Sequence, residues 1–341
     1  MAITIRDIAK KADVSIATVS RVLNSPEDVS HETKEKVEKV MEEMNYKPNA
    51  FARGLIRRSI KTIGLIVPDL NNLFYPPVIN GLEDGLEEND YNVFLCNTNE
   101  DIKKEKKYID NLLNKNVDGI IFLGTRPTGF QKNKHIIELS KEMPVLMIND
   151  YITGAEVYSV MTDERNGAYK AINYLVELGH KRIGFINGDV NYTTYRYKLD
   201  GYKKALEDNN IDLRDTYIVN ETPYEKGGYK GMKKLLSLNN SPSAVLAASD
   251  QIAIGAMNGI FENGYSSDDF SVIGYGDVPL ISELYSGLTT VSQFPYHTGQ
   301  LAAETILKVI NGEKMIQKRR IIDPELKIRK SCNKCKGHFE C

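Results

Sequence analysis

At 341 residues the chain exceeds one compact domain, and 41% hydrophobic with 26% charged residues is ordinary globular usage, which excludes a disordered or fibrous protein. Its 44 lysines and arginines against 46 aspartates and glutamates leave a net charge of −2, so any nucleic-acid surface has to be local. The start, MAITIRDIAKKADVS, has no basic stretch followed by an apolar core, and no apolar run reaches membrane-spanning length, so a cytoplasmic protein without membrane contact is expected.

Residues 1–46 read as three short helices. Ile5, Ile8, Ala9 and Ala12 recur at helical spacing behind Thr4, a plausible N-cap. A second helix starts at Ser15 with Val19, Val22 and Leu23 inward, and a third, capped by Ser30, repeats the period with Val37, Val40, Met41 and Met44. Residues 47–59, KPNAFARGLIRRS, form a connector too short for a stable isolated helix. From Thr62 the pattern changes to apolar runs alternating with amphipathic stretches: TIGLIVPD, NVFLCNT, DGIIFLG and PVLMIND, then KRIGFING, SAVLAASD and FSVIGYG. Such runs predict an α/β core of doubly wound parallel sheets covered on both faces, in two lobes. Tyr158–Asp163 and Leu288–Phe294 are the expected crossovers, with a cleft between the lobes at the carboxyl ends of the strands. Over 60–331, one lobe is assigned residues 60–161 and 292–322, the other 162–291 and 323–331, with a separate tail over 332–341. Cys96, inside NVFLC, is expected as a buried small hydrophobe, His180 as structural, and the run IKKEKK as a solvated helix face.

The second helix carries the chemistry. Its exposed positions include Ile16, Ala17 and Arg21, with Ser15, Thr18, Ser20 and Asn24 around them. A helix entering the major groove needs apolar side chains for thymine methyls, an arginine for guanine O6 and N7, and hydroxyls for phosphates. The bland alternative, a stray exposed isoleucine on an ordinary helix, is overturned by context.

That context is a resemblance. TIRDIAKKADVSIATVSRVLN followed by VSHETKEKVEKVMEEMNYKPNAFARGL resembles the helix-turn-helix headpiece and hinge of lactose/galactose-repressor (LacI/GalR) regulators, and the ARGL hinge is similar to the catabolite control branch. KTIGLIVPDLNNLFY, VDGIIFLG, LGHKRIGFING, SDQIAIGAM and LTTVSQFPYHTGQLAAETIL extend the likeness through a periplasmic-binding-protein-like core, over about residues 3–331. The resemblance implies a homodimeric repressor of carbohydrate-metabolism genes that binds double-stranded, pseudopalindromic operator DNA under control of a sugar or sugar-phosphate effector. A regulator governed by a protein co-regulator is the alternative. It makes Ile16, Ala17 and Arg21 base-reading and places Ser15, Thr18, Ser20, Asn24, Ser30, Thr33, Tyr46 and Asn49 near phosphates. Residues Asn49–Ile56 would form a minor-groove hinge helix, with Ala52 and Leu55 in the groove and Gly54 in place of the commoner serine. Along the cleft it implies Phe74, Asp150, Ser249, Asp250 and Gln293 as effector ligands, joined by Lys198 and Asp277. Asp250 could equally be an N-cap and Phe74 packing. Two departures stand out: Lys198 in KLDG where many members have arginine, and Gly274, Tyr275, Gly276 and Asp277 where many have Gly-Tyr-Asp-Asp.

The tail CNKCKGHFEC spaces Cys332, Cys335, His338 and Cys341 three apart; a frayed solvated tail is expected, with a soft ligand set for zinc as the alternative. No other cofactor is expected. A transport protein would share the core but need an export signal and no headpiece. An enzyme is disfavoured, because the chain shows no Gly-rich phosphate loop, nucleophile elbow or His-carboxylate cluster.

Overall fold

The computed structural model describes residues 3–24, 28–44, 46, 59–266, 269–313 and 315–335. At the N-terminus, α1 (Ile5–Lys11), α2 (Ile16–Asn24) and α3 (His31–Glu43) enclose a small core of Ile8, Ala9, Ala12, Val19, Val22 and Val37. The entry to α1 is fixed by Thr4, whose N–H and Oγ1 both donate to the Asp7 carboxylate at 2.8 and 2.7 Å. That hydroxyl bond, then the backbone bond, holds the Asp7 carboxyl below its ordinary value. Ser30 caps α3 by accepting from the Thr33 N–H.

The core consists of two six-stranded sheets of matching topology. The first is ordered β11-β5-β4-β3-β1-β2, built from β1 (Thr62–Val67), β2 (Asn92–Asn97), β3 (Gly119–Leu123), β4 (Val145–Ile148), β5 (Tyr158–Thr162) and β11 (Arg319–Ile322). The second is ordered β12-β10-β9-β8-β6-β7, from β6 (Ile183–Asn187), β7 (Ile218–Asn220), β8 (Ala244–Ala247), β9 (Ser271–Gly276), β10 (Thr289–Ser292) and β12 (Glu325–Lys327). Strand pairs β1/β3 and β6/β8 run parallel, whereas β12 pairs antiparallel with β10. Every residue of β1, β3, β4, β8 and β9 is buried, as strands covered on both faces must be. The outer strand β2 differs from expectation: Phe94 and Leu95 are 37% and 42% exposed, and Cys96 is only half-buried. An edge strand lacks a neighbour on one side, so its apolar side chains lose the cover that central strands receive.

The lobes exchange helices. After β5 the chain enters α7 (Glu164–Glu177), whose Ala168, Ala171, Ile172 and Leu175 join the core of the second sheet. After β10 it enters α12 (Pro295–Ile310), whose Ala302, Ala303 and Ile306 return to the core of the first. There α12 packs on α4 (Tyr75–Glu87) with backbones nearly touching: a Cβ on Gly81 would lie 2.0 Å from the Tyr296 carbonyl oxygen, and one on Gly299 2.1 Å from that of Val78. His180 is a fully satisfied structural histidine, with Nδ1 2.9 Å from Ser243 Oγ and Nε2 2.9 Å from Ser271 Oγ.

Candidate functional site

On α2, alternation of buried and exposed positions follows from helical period and small-core packing. Val19 and Val22 are buried, which turns Ile16, Ala17 and Arg21 to solvent, with Ile16 47% exposed. Ser15 starts the helix by accepting from the Thr18 N–H at 3.0 Å, and the two hydroxyls lie 2.8 Å apart. Ser20 is half-buried, and Asn24 closes the helix. Ser30 and Thr33 pair their hydroxyls at 2.9 Å, while Tyr46 packs against the small core. Of the hinge residues, Asn49, Ala52 and Leu55 lie outside the described residues.

The strand orders place both sheets' topological switch points, β1/β3 and β6/β8, on the cleft, where ligands enter open α/β sheets. The space there has two parts. The inner part, about 60 Å³, is lined by Phe74, Lys198, Ser249 and Gln293 together with Asn149, Glu164 and Tyr275. It is far below the few hundred Å³ typical of a ligand site. Lys198 closes it: its Nζ donates to the Ala248 carbonyl at 3.0 Å, lies 3.5 Å from Glu164 Oε2 and sits 3.9 Å above the Tyr275 ring. Gln293 Nε2 donates to Glu164 Oε1 at 2.8 Å, joining the two crossovers. Burial raises the Glu164 carboxyl against the pull of Lys198, and burial lowers the Lys198 amine against the pull of Glu164.

Asp150, Asp250 and Asp277 are not among the lining residues of either part. Asp150 accepts from the N–H groups of Arg126 and Tyr151, each at 2.6 Å, and burial lifts its carboxyl to about 6. Asp250 opens α10 (Asp250–Glu262), but Ser249 is the N-cap, accepting from the Ile252 N–H at 3.1 Å. The Asp250 carboxylate instead accepts from the Val278 N–H and Thr290 Oγ1 at 2.8 and 2.5 Å, with burial again raising it to about 6. Asp277 pairs with Arg329 at 2.7 Å. Gly276 has φ +131°, a conformation any side chain would strain, and a Cβ there would lie 3.6 Å from the Phe74 ring.

The outer part encloses about 590 Å³, bounded by Asp69, Tyr75, Glu100 and Arg126 from the first lobe and Asp189, Tyr192, Tyr195 and Tyr224 from the second. Tyr224 donates to Asp69 across the cleft, and the Leu73 N–H donates to Gln251 Oε1 at 3.1 Å. Sequence reasoning missed these residues, although the signal was present: most of them follow a strand's carboxyl end within a few positions.

Glu105 corrects the reading of IKKEKK as a solvated face, because it is 6% exposed inside α5 (Ile102–Asn114). Arg126 grips it bidentately at 2.8 and 2.6 Å and His135 Nε2 lies at 2.6 Å. Burial would raise this carboxyl, but the hydrogen bonds from His135 and Arg126 outweigh it and bring it from 4.5 to about 2. A depressed carboxylate stabilises the fold above its ordinary value and loses that contribution as pH falls from 4.5 through about 2, a span worth roughly 3 kcal/mol. Glu105→Gln should therefore flatten the acid limb of stability between those values in denaturant melts; an unchanged limb refutes it.

In the tail, Cys332 is 9% exposed and donates to the Val272 carbonyl, and burial pushes its thiol up to about 11. Cys335 is disulfide-bonded, and His338 and Cys341 lie outside the described residues. No group of three metal-ligating side chains occurs among the described residues, nor is any described helix long and apolar enough to cross a membrane.

Residues 4–49 match the model of "Bacterial regulatory proteins, lacI family", and residues 60–330 that of "Periplasmic binding proteins and sugar binding domain of LacI family". The chain is 36% identical to the HTH-type transcriptional regulator RegA of Clostridium saccharobutylicum, covering 97% of this chain and 99% of that one. It is 34% identical to catabolite control protein A of Priestia megaterium, covering 92% and 94%. The solved lac repressor dimer bound to operator and the anti-inducer ONPF superposes with a TM-score of 0.86 at 28% identity, covering 97% and 99%. A helix that turns Ile16, Ala17 and Arg21 outward, a two-lobed core with a cleft at both switch points, and these matches along almost the whole length lead to one conclusion: the chain belongs to the LacI family of DNA-binding transcriptional regulators.

Proposed function

We propose that the protein is a cytoplasmic, homodimeric repressor whose affinity for a pseudopalindromic operator is set by a sugar-like effector in the inter-lobe cleft. The observation that carries this reading is the 590 Å³ cavity at the switch points of both sheets, in a chain that also presents a reading helix. Ile16, Ala17 and Arg21 read base edges, and Ser15, Thr18, Ser20, Ser30 and Thr33 hold phosphates. Ala52 and Leu55 of the hinge enter the minor groove at the dyad. Dimerisation is supported by uncovered apolar groups, Phe94 and Leu95 on the β2 edge and Leu280 and Leu284, the last 70% exposed. The domain limits follow the chemistry: headpiece 1–46, connector 47–59, effector core 60–331 and tail 332–341.

Selection of bound sites from a random DNA library tests the proposal. Inverted repeats with half-sites about one helical turn apart are expected, from a protein that sediments as a dimer. Asymmetric sites would end the reading. A cleft that no small molecule occupies would favour control by a protein co-regulator.

A further inference from the structure

The cleft's electrostatics narrow the effector. Its outer part is bounded by six carboxylates and one guanidinium, and the guanidinium of Arg126 is already spent on Glu105. Glu221 is paired with Lys234 at 2.6 Å. Asp69, Glu100, Asp101 and Asp189 have no lysine or arginine partner among the described residues. An anion entering this space meets uncompensated negative charge in a partly water-excluded cleft, where repulsion is stronger than in bulk solvent. A cation meets the reverse.

The aromatic groups point the same way. Tyr75, Tyr192, Tyr195 and Tyr224 all line this space. Burial is the largest cause raising each phenol; the Glu100 charge comes next for Tyr192 and Tyr195, follows Tyr195 for Tyr75, and follows the hydrogen bond and charge of Asp69 for Tyr224. Glu100 and the four tyrosines therefore line one space, and a carboxylate with aromatic rings is the set of groups that holds an ammonium ion. It is placed there at a cost: Asn99 and Glu100 are both left-handed, with φ 53° and 60°, a conformation disfavoured for side-chain-bearing residues. Deeper in, Asn149 Oδ1 is buried without a hydrogen-bond partner in the structure, an acceptor awaiting a donor. The inner and outer parts share Asn72, Tyr75, Thr125, Tyr195 and Pro223, so the two are adjacent.

We infer that the effector is a polyhydroxylated molecule bearing a protonated amine, of the amino-sugar class, and that the cleft rejects phosphorylated sugars. The inference rests on the effector reading of the cleft given above. Its amine lies against Glu100 and Asp69 within the tyrosines, and its hydroxyls donate to the remaining acceptors.

The test uses full-length protein and four probes, glucosamine, N-acetylglucosamine, glucose and glucose 6-phosphate, followed by calorimetry and by operator affinity. Glucosamine should bind at least about tenfold more tightly than its uncharged N-acetyl counterpart and shift operator affinity, with glucose 6-phosphate weakest. Glu100→Gln, an exposed loop change that leaves the fold intact, should reduce the preference for glucosamine to twofold or less. Equal or tighter binding of a neutral or phosphorylated probe, or an amine preference that survives Glu100→Gln, overturns the inference while leaving the effector reading standing. If no probe binds and operator affinity never moves, both fail.

Discussion

Lys198→Ala should lower the stability of the core by about 3 to 5 kcal/mol, the usual consequence of removing one partner from a buried ion pair. Lys198 and Glu164 side chains are 7% and 2% exposed, so neither charge can turn to water when the other is removed. Glu164 would keep the Gln293 amide and the Tyr275 hydroxyl but no charged partner, and the Tyr275 ring would lose the cation above it. The loss should depend on pH in a definite sense. Burial already raises the Glu164 carboxyl; without Lys198 it rises further, and folding then favours the protonated acid. The variant is therefore destabilised most at high pH and recovers as pH falls through the raised value. Urea unfolding at pH 5 and pH 8 measures this, and Lys198→Ala in a Glu164→Gln background should recover much of the loss. A penalty equal at both pH values, or undiminished in the double variant, would show that packing around the stem of Lys198 matters and the pair does not.

Arg21→Ala is expected to weaken specific operator binding by about 1 to 3 kcal/mol, roughly five- to more than a hundredfold, and to relax preference at one position in each half-site. Exposed beside Ile16 and Ala17, the guanidinium is free to present its fork to a guanine edge. On the proposed reading discrimination resides in that bidentate geometry, so Arg21→Lys should retain most non-specific affinity yet lose much of the preference. Titrations on operator and random DNA across a salt series separate the two contributions, because the non-specific part tracks the number of phosphate charges neutralised. Equal losses on both DNAs would reassign Arg21 to the phosphates and leave sequence reading to Ile16 and Ala17.

The headpiece and the alternating core were legible because both are written in local periodicity. Val19 and Val22 must face inward if three short helices share one core, and that settles where Ile16 and Arg21 point. The continuous apolar runs had to be central strands for the same reason. Prediction failed where an edge intervened, at Phe94 and Leu95, and where a distant partner did, at Glu105, which sits in a run of lysines yet is drawn inward by Arg126 and His135.

The effector residues divide along the same line. By itself the sequence determined the exposed face of the second helix and the two sets of strands, and its resemblance to the family marked Lys198 and Gly276 as departures. Only the tertiary structure decided what these substitutions do, because ion pairs and cavities depend on residues far apart in the chain. Lys198 meets Glu164 and the ring of Tyr275 where the inner cleft narrows to about 60 Å³. The open space moves outward to four tyrosines and a surplus of carboxylates contributed by loops from both lobes. Short-range periodicity can report which face of an element is buried; which charges converge on a cleft is fixed by contacts between distant segments.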